Sequence, residues 1–350
     1  MVTLDWRPAE IGWKPPKGWV RIRTVESHTG GEPLRLVIEG WPSIPGATML
    51  AKRSYAKKHH DNLRRLIMRE PRGHWDMYGA IITEPVTPGS DLGVLFMHNE
   101  GFSTMCGHGV IAVVTSLLDM NLVKLRGSRR TLRLDTPAGR VTAEPRMEGT
   151  YVKSVAFENV PSFVLARDQR VDVEEVGSVR YDLAFGGAFY AYCDAKELQV
   201  DLTPRESPRL VDVGMRVKRA VVKAAKIRHP NDRDLGFLYG TIISEKVKSP
   251  TSDIRNVCVF ADGQIDRSPT GTGVSGHVAL EHLRGDLPIG HSIAVESIVG
   301  SVFRGTPVRK TKVGKYDAVV PRIEGSAWTS GQNEFWLDPR DQFPAGFLVG

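Results

Sequence analysis

The sequence predicts an α+β protein made of two similar halves that share one cleft. Three observations predict it. Two small-residue loops, Met105-Cys106-Gly107-His108-Gly109 and Pro269-Thr270-Gly271-Thr272-Gly273, each open into an apolar run of helical character, Val110 to Leu118 and Val274 to Leu280. The order strands, helix, strands, loop and buried helix occurs twice along the chain. The length of 350 residues suits two domains.

Trp19 to Glu26 and Pro33 to Glu39 read as strands around a Thr29-Gly30-Gly31 turn. Met49 to Met68 reads as one helix burying Leu50, Leu63, Leu66 and Ile67. Ala80 to Thr83 and Leu92 to Met97 are strands leading to Cys106. Leu132 to Val141 alternates around a turn as a hairpin, and Val152 to Val164 continues the strand pattern. The second cycle starts near Arg180. Phe185 to Cys193 is a strand and Arg209 to Ile227 a helix. Leu235 to Ile243 and Asn256 to Ala261 are strands before the second loop. Ile293 to Val302, Val308 to Thr311 and Tyr316 to Ile323 close the pattern as strands.

Composition narrows the class. The apolar fraction of 41% supports full cores. Only three cysteines are present, with no framework spacing, which points to a reducing, cytoplasmic setting. Cys193 and Cys258 sit in strand-like runs and read as inert core residues. Met1 to Lys17 has no long apolar stretch, so no signal peptide is expected. Nothing approaches a membrane span. The formal net charge is +7, with basic residues gathered in Arg216 to Arg228. That stretch reads as the solvated face of a helix whose apolar side includes Met215, Val217, Val221 and Val222. It lacks the module or the interleaved aromatics that nucleic-acid binding needs. His59-His60-Asp61 fits no metal-ligand spacing with a second cluster and reads as a helix surface, so no metal is expected.

The paired loops carry the chemistry. A helix start leaves backbone N–H groups unpaired and bears partial positive charge. Glycine lets a ligand approach the backbone closely. Two such starts aimed at one point would hold a carboxylate between them. Cys106 and Thr270 would then flank whatever carries that carboxylate, a thiol on one face and a hydroxyl on the other. The helix start should lower the Cys106 pKa and favour the reactive thiolate. A base beside an amino acid's α-carbon is a proton-abstraction site. Donors around the carboxylate would stabilise the enediolate-like charge that develops. The ordinary reading of a lone cysteine at a helix start is a small buried residue; the second loop favours the catalytic one.

These blocks resemble the proline racemase family. Ser27-His28-Thr29-Gly30-Gly31-Glu32-Pro33, Met105 to Gly109 and Asp266 to Gly273 look like its three signature blocks. Glu70-Pro71-Arg72-Gly73-His74, His98-Asn99-Glu100-Gly101 and Phe185 to Tyr190 fit it too. The likeness runs from about residue 20 to Gly346-Phe347. It implies the diaminopimelate-epimerase-like fold, with the active site between the halves and no cofactor. The implied domains are 1–180, with a C-terminal return of about 334–350, and 181–333. Family racemases and epimerases carry cysteine in both loops, so Thr270 resembles the trans-3-hydroxy-L-proline dehydratase branch. The likeness makes Cys106 the retained thiol and Thr270 the replaced one. Gly107, His108, Gly271 and Thr272 become the carboxylate-holding positions, and Asp266 a contact to the ring nitrogen. Asp266 could instead make local bonds before its Ser-Pro turn, and His28 reads as a surface histidine unless it is a lid or substrate contact.

The expected reaction is an elimination. In trans-3-hydroxy-L-proline the α-proton lies on the same ring face as the hydroxyl. One base on that face can take the proton and return one to the departing oxygen. Threonine opposite is too weak an acid to reprotonate with inversion. Water is lost, and the enamine tautomerises to Δ1-pyrroline-2-carboxylate. The expected partners are this imino acid and, for assembly, a second copy of the chain; no nucleic acid and no membrane are expected. The nearest alternative is a hydroxyproline 2-epimerase or proline racemase. A non-catalytic amino-acid-binding protein is the alternative from another class.

Overall fold

Gly30 and Gly31 turn the chain with φ of 58° and 95°, so β1 (Val20–Thr29) and β2 (Glu32–Glu39) pair antiparallel across them. The computed structural model describes residues 14–125 and 130–349. Most of the Met1 to Lys17 stretch therefore lies outside the described residues.

Two helices stand where one was expected. Thr48 caps α1 (Met49–His59), its hydroxyl accepting the Ala51 N–H. The chain breaks at His60, and α2 (Asp61–Met68) starts afresh. Asp61 suits a helix start, where negative charge meets the helix dipole, and it pairs with Arg64 at 2.7 Å. The buried Arg64 guanidinium also donates to the His98 and Asn99 carbonyls, which fixes α2 separately from α1. Leu63, Leu66 and Ile67 are buried as expected, whereas Leu50 is only partly so.

Strand β3 (Tyr78–Thr83) joins β2 in parallel and β4 (Leu92–His98) antiparallel. Helix α3 (Gly107–Asp119) begins directly after Cys106, and Gly107 to Leu117 are all buried. Each fully buried Val, Ile or Leu contributes about 1.5–3 kcal/mol, so this apolar helix belongs inside the fold. The expected hairpin is β5 (Leu132–Thr136) with β6 (Gly139–Glu148). Then come β7 (Tyr151–Glu158), β8 (Ser162–Val173), β9 (Gly177–Phe185) and β10 (Phe189–Asp194). The run expected from Val152 to Val164 is split before Pro161, which has no N–H for a ladder. The run from Phe185 is split by Gly186-Gly187.

Helix α4 (Ser207–Ala224) buries Leu210, Val213, Met215, Val217 and Val221. Val222 is 54% exposed, contrary to expectation; one residue past Val221 turns the side chain about 100° around the helix. Strand β11 (Leu238–Lys246) starts later than Leu235, because Asp232 caps a short 3₁₀ turn over Arg233–Leu235. Next come β12 (Ile254–Phe260), β13 (Gln264–Asp266) and α5 (Gly271–Arg284). Gly285, at φ 90°, ends α5 by donating its N–H to the Glu281 and His282 carbonyls.

The last strands are β14 (Ile293–Ser297), β15 (Val302–Val313), β16 (Tyr316–Gly325) and β17 (Ala327–Leu337). The stretch read as one strand from Ile293 to Val302 is thus a hairpin, β14 against β15. Pairing of the C-terminal segment with β1 begins at Ala327, ahead of the position of about 334 that the family resemblance implied, and Phe347 bridges Glu70.

The seventeen strands of the described residues form one mixed hydrogen-bonded network, with few helices, so the fold is α+β. Helix α3 packs on β1, β2, β6, β7 and β17, and α5 on β8, β9, β15 and β16. Each apolar helix is enclosed by strands, and their N-terminal ends meet. A Cβ on Gly107 would lie 2.5 Å from the Gly271 Cα, and one on Gly271 would lie 2.6 Å from the Gly107 Cα. Only glycine at both positions lets the two helix starts come this close.

Candidate active site

Cys106, Gly107, His108, Asp266, Thr270, Gly271 and Thr272 line one cavity where the helix starts meet. Its free space is about 20 Å³, room for about one water. His28 does not line it. That ring stacks on the exposed Trp328, 5.2 Å between centroids, and its Nδ1 accepts the Gly31 N–H at 3.3 Å. The neighbours of His28 in its motif reach the site from behind. Thr29 Oγ1 donates to the His108 carbonyl at 2.9 Å. Glu32 is fully buried and accepts the Arg267 N–H at 2.8 Å.

Cys106 caps α3 with its sulfur, which accepts the Gly109 N–H at 3.2 Å. The His108 ring approaches closely, with Nδ1 3.2 Å from the sulfur and 3.9 Å from Asp266 Oδ2. Burial holds the His108 pKa below its usual value, against the pull of Asp266 and of a ring N–H bond to the Pro33 carbonyl. The ring is therefore neutral at neutral pH.

The Cys106 thiol departs from expectation. Its pKa lies well above the ordinary range, not below it. Burial is the largest cause, and the Asp266 and Glu32 carboxylates add to it. The Gly109 N–H and the Tyr78 hydroxyl lower it, but less. The helix start does favour the thiolate, as expected; removal from water outweighs it in the closed cavity.

Thr270 begins α5 differently. It makes no cap bond, and its φ of 63° and ψ of 93° are strained for a β-branched residue. Its hydroxyl donates to Asp266 Oδ2 at 2.8 Å, while Asp266 Oδ1 accepts the Ser268 N–H at 2.7 Å. Asp266 thus makes the local turn bond and also faces the cavity.

Several residues at the site were not singled out from sequence. Tyr78, Tyr190, Tyr239, Met105 and Phe260 also line the cavity. Cys258, read as inert core, is buried but is part of the wall as well, in the same cavity as Thr270. The tyrosines sit in strands where an aromatic reads as core, so only their polar ends could have signalled a role. Tyr190 bonds the Thr272 hydroxyl at 2.7 Å. Tyr78 donates to Ser103 Oγ at 2.7 Å and lies 3.3 Å from the Tyr239 hydroxyl. Among the described residues no group of three His, Cys, Asp or Glu side chains is placed to hold a metal ion. No helix there is long and apolar enough to cross a membrane.

Two helix starts converge on one cavity, with a thiol on one side and a hydroxyl on the other, an arrangement suited to acid–base chemistry. The proline racemase family model matches residues 24–348, and the chain belongs to that family. It is 42% identical to a trans-3-hydroxy-L-proline dehydratase of Colwellia psychrerythraea, covering 96% of each chain. It is 45% identical to a 3-hydroxyproline 2-epimerase of Burkholderia multivorans, over 94% of this chain and 98% of that one. A crystal structure of a hydroxyproline epimerase from Agrobacterium vitis with bound trans-4-hydroxy-L-proline superposes with a TM-score of 0.89. That protein is 29% identical, with 95% of this chain and 96% of it covered.

Proposed function

We propose that this protein is a hydro-lyase that dehydrates trans-3-hydroxy-L-proline to Δ1-pyrroline-2-carboxylate without a cofactor. The observation that carries the reading is the asymmetry of the paired loops, Cys106 opposite Thr270. We read the chain as two diaminopimelate-epimerase-like domains, 1–180 with the C-terminal return and 181–333, closing on the substrate between them. The space left in the cavity is smaller than a pyrrolidine ring, so the site opens to admit the substrate.

The substrate carboxylate lies between the helix starts, against Gly107 and His108 on one side and Gly271 and Thr272 on the other. Asp266 faces the ring ammonium. That cation also offsets the carboxylates that keep the thiol protonated, and neutral His108 accepts the thiol proton. The Cys106 thiolate removes the α-proton while the backbone N–H groups stabilise the charge on the carboxylate. The C–H electrons form the Cα–Cβ double bond, the C3–O bond breaks, and hydroxide leaves with a proton as water. The enamine then tautomerises.

Thr270 supports this outcome over inversion. An alkyl hydroxyl is a poor acid, and this one donates a hydrogen bond to Asp266. Epimerisation is the second reading, favoured by the similarity to a 3-hydroxyproline 2-epimerase. The three free cysteines are buried, which fits a protein of a reducing compartment such as the cytoplasm. A spectroscopic screen of proline, 3-hydroxyproline and 4-hydroxyproline isomers tests the reading. Pyrroline-carboxylate should form from trans-3-hydroxy-L-proline alone. Inverted isomers in its place would establish the epimerase.

A further inference from the structure

Dehydration leaves one proton without a named carrier, the one that departs with the 3-hydroxyl. If Cys106 both takes the α-proton and delivers it, the sulfur must serve two positions on the ring. A second donor stands beside it. Tyr78, on β3, lines the same cavity as Cys106. Its ring lies edge-on to the His108 ring, 4.8 Å between centroids, and that ring's Nδ1 lies 3.2 Å from the Cys106 sulfur. Behind the Tyr78 hydroxyl, the Tyr239 hydroxyl lies at 3.3 Å and Ser103 Oγ at 2.7 Å. Tyr239 is itself fixed by stacking on Phe260 at 5.5 Å. A buried hydroxyl so placed is oriented by neighbours that remain when it turns its proton toward a ligand.

Resting on the dehydratase reading, we propose that Tyr78 is a catalytic residue, the acid that protonates the departing 3-hydroxyl. The thiolate takes the α-proton; the C–H electrons form the double bond; the C3–O bond breaks; the oxygen takes the Tyr78 proton and leaves as water. The tyrosinate then takes the proton from the Cys106 thiol within the cavity that both side chains line. Both groups return to their starting states, so the cycle needs no co-reactant. Burial pushes the Tyr78 pKa well up, which keeps it a neutral donor at rest and makes its anion quick to reclaim the proton. Tyr239 is a positioning residue whose hydroxyl supports the Tyr78 oxygen as charge develops there.

The assignment separates two steps that a structural role would not separate. Removal of an α-proton from L-proline needs Cys106 but no leaving-group acid. Loss of fluoride from trans-3-fluoro-L-proline needs Cys106 but no proton on the leaving atom. In Tyr78→Phe, dehydration of trans-3-hydroxy-L-proline should fall at least about 100-fold, in line with general acid catalysis. Exchange of the L-proline α-proton in D2O and release of fluoride should stay within about tenfold of wild type. Tyr239→Phe, which keeps the Tyr78 hydroxyl, should show a smaller loss confined to dehydration. It also carries the test if Tyr78→Phe fails to fold. Dehydration by Tyr78→Phe near the wild-type rate overturns the assignment, as does an equal fall in all three reactions in a folded variant. If Tyr78→Phe does not fold, an unchanged or uniformly reduced Tyr239→Phe overturns it. Wild type that forms no pyrroline-carboxylate would overturn the dehydratase reading as well.

Discussion

Thr270 Oγ1 donates its proton to Asp266 Oδ2 at 2.8 Å, while the Cys106 sulfur in the same cavity bonds the Gly109 N–H and the His108 ring. One face of the site therefore holds an ionisable group paired with an acceptor. The other holds an alkyl hydroxyl, a far weaker acid, hydrogen-bonded to a carboxylate. That difference makes the two faces chemically unequal, and substitutions on each should have unequal effects.

Cys106→Ser should lose at least about a thousandfold in dehydration. General base catalysis contributes about 10²–10⁴, and a serine hydroxyl is in addition scarcely ionised. The fold should persist, because a serine oxygen can still cap α3 at Gly109. Steady-state rates beside a thermal melt check both parts. Near-wild-type turnover in the purified variant would remove the thiol from the mechanism.

Thr270→Cys should add inversion of proline or 4-hydroxyproline at the α-carbon. The side chains are similar in size, and cysteine is not β-branched, so it suits the positive φ at this position better than threonine. Cys258 lines the same cavity as Thr270, so the assay needs a reductant to keep the introduced thiol from forming a disulfide with Cys258. Chiral chromatography after long incubation reads the outcome. A folded, reduced variant that never inverts would place the control of specificity elsewhere in the cavity.

Much of this site is legible as sequence because its parts are local. Gly-rich loops running into apolar helices mark Cys106, Gly107, His108, Thr270, Gly271 and Thr272, and the structure gathers all six around one cavity. What is not legible depends on contacts distant in the chain. The break at His60 is fixed by Arg64 reaching the His98 and Asn99 carbonyls. The Cys106 pKa is set by burial under the opposite helix start, which no motif records. Tyr78 and Tyr239 are 161 residues apart, and each alone is an aromatic in a strand.

The raised Cys106 pKa has a direct chemical consequence. A thiol whose pKa lies above the ordinary value of about 8.5 is protonated at pH 7. Alkylation of the substrate-free protein by iodoacetamide at Cys106 should be slow at pH 7. It should rise about tenfold per pH unit through the alkaline range, with Cys106→Ser as the blank. Fast alkylation independent of pH between 6 and 8 would mean a depressed pKa and an open cleft at rest.

Gly107→Ala tests the close approach of the helix starts. The added methyl would lie 2.5 Å from the Gly271 Cα, so the two helix starts must move apart. Overpacking of this kind costs about 1–3 kcal/mol, which thermal or urea unfolding will register. The carboxylate site should open with it, raising KM and lowering kcat together. Unchanged stability and kinetics would contradict the closed arrangement.

Pyrrole-2-carboxylate is planar at the α-carbon, like the deprotonated intermediate, and should inhibit competitively. Pyrrole lacks the carboxylate and should not. Equal inhibition by the two would mean that the helix starts do not hold the acid group.

A thiol facing a hydroxyl should eliminate water and leave the α-carbon uninverted. The most direct measurement is the early time course of wild type with trans-3-hydroxy-L-proline in D2O, resolving product from both C2 epimers. Δ1-pyrroline-2-carboxylate should be the product, and recovered substrate should keep its configuration. Formation of cis-3-hydroxy-D-proline as fast as the pyrroline would contradict the proposed division of labour between Cys106 and Thr270.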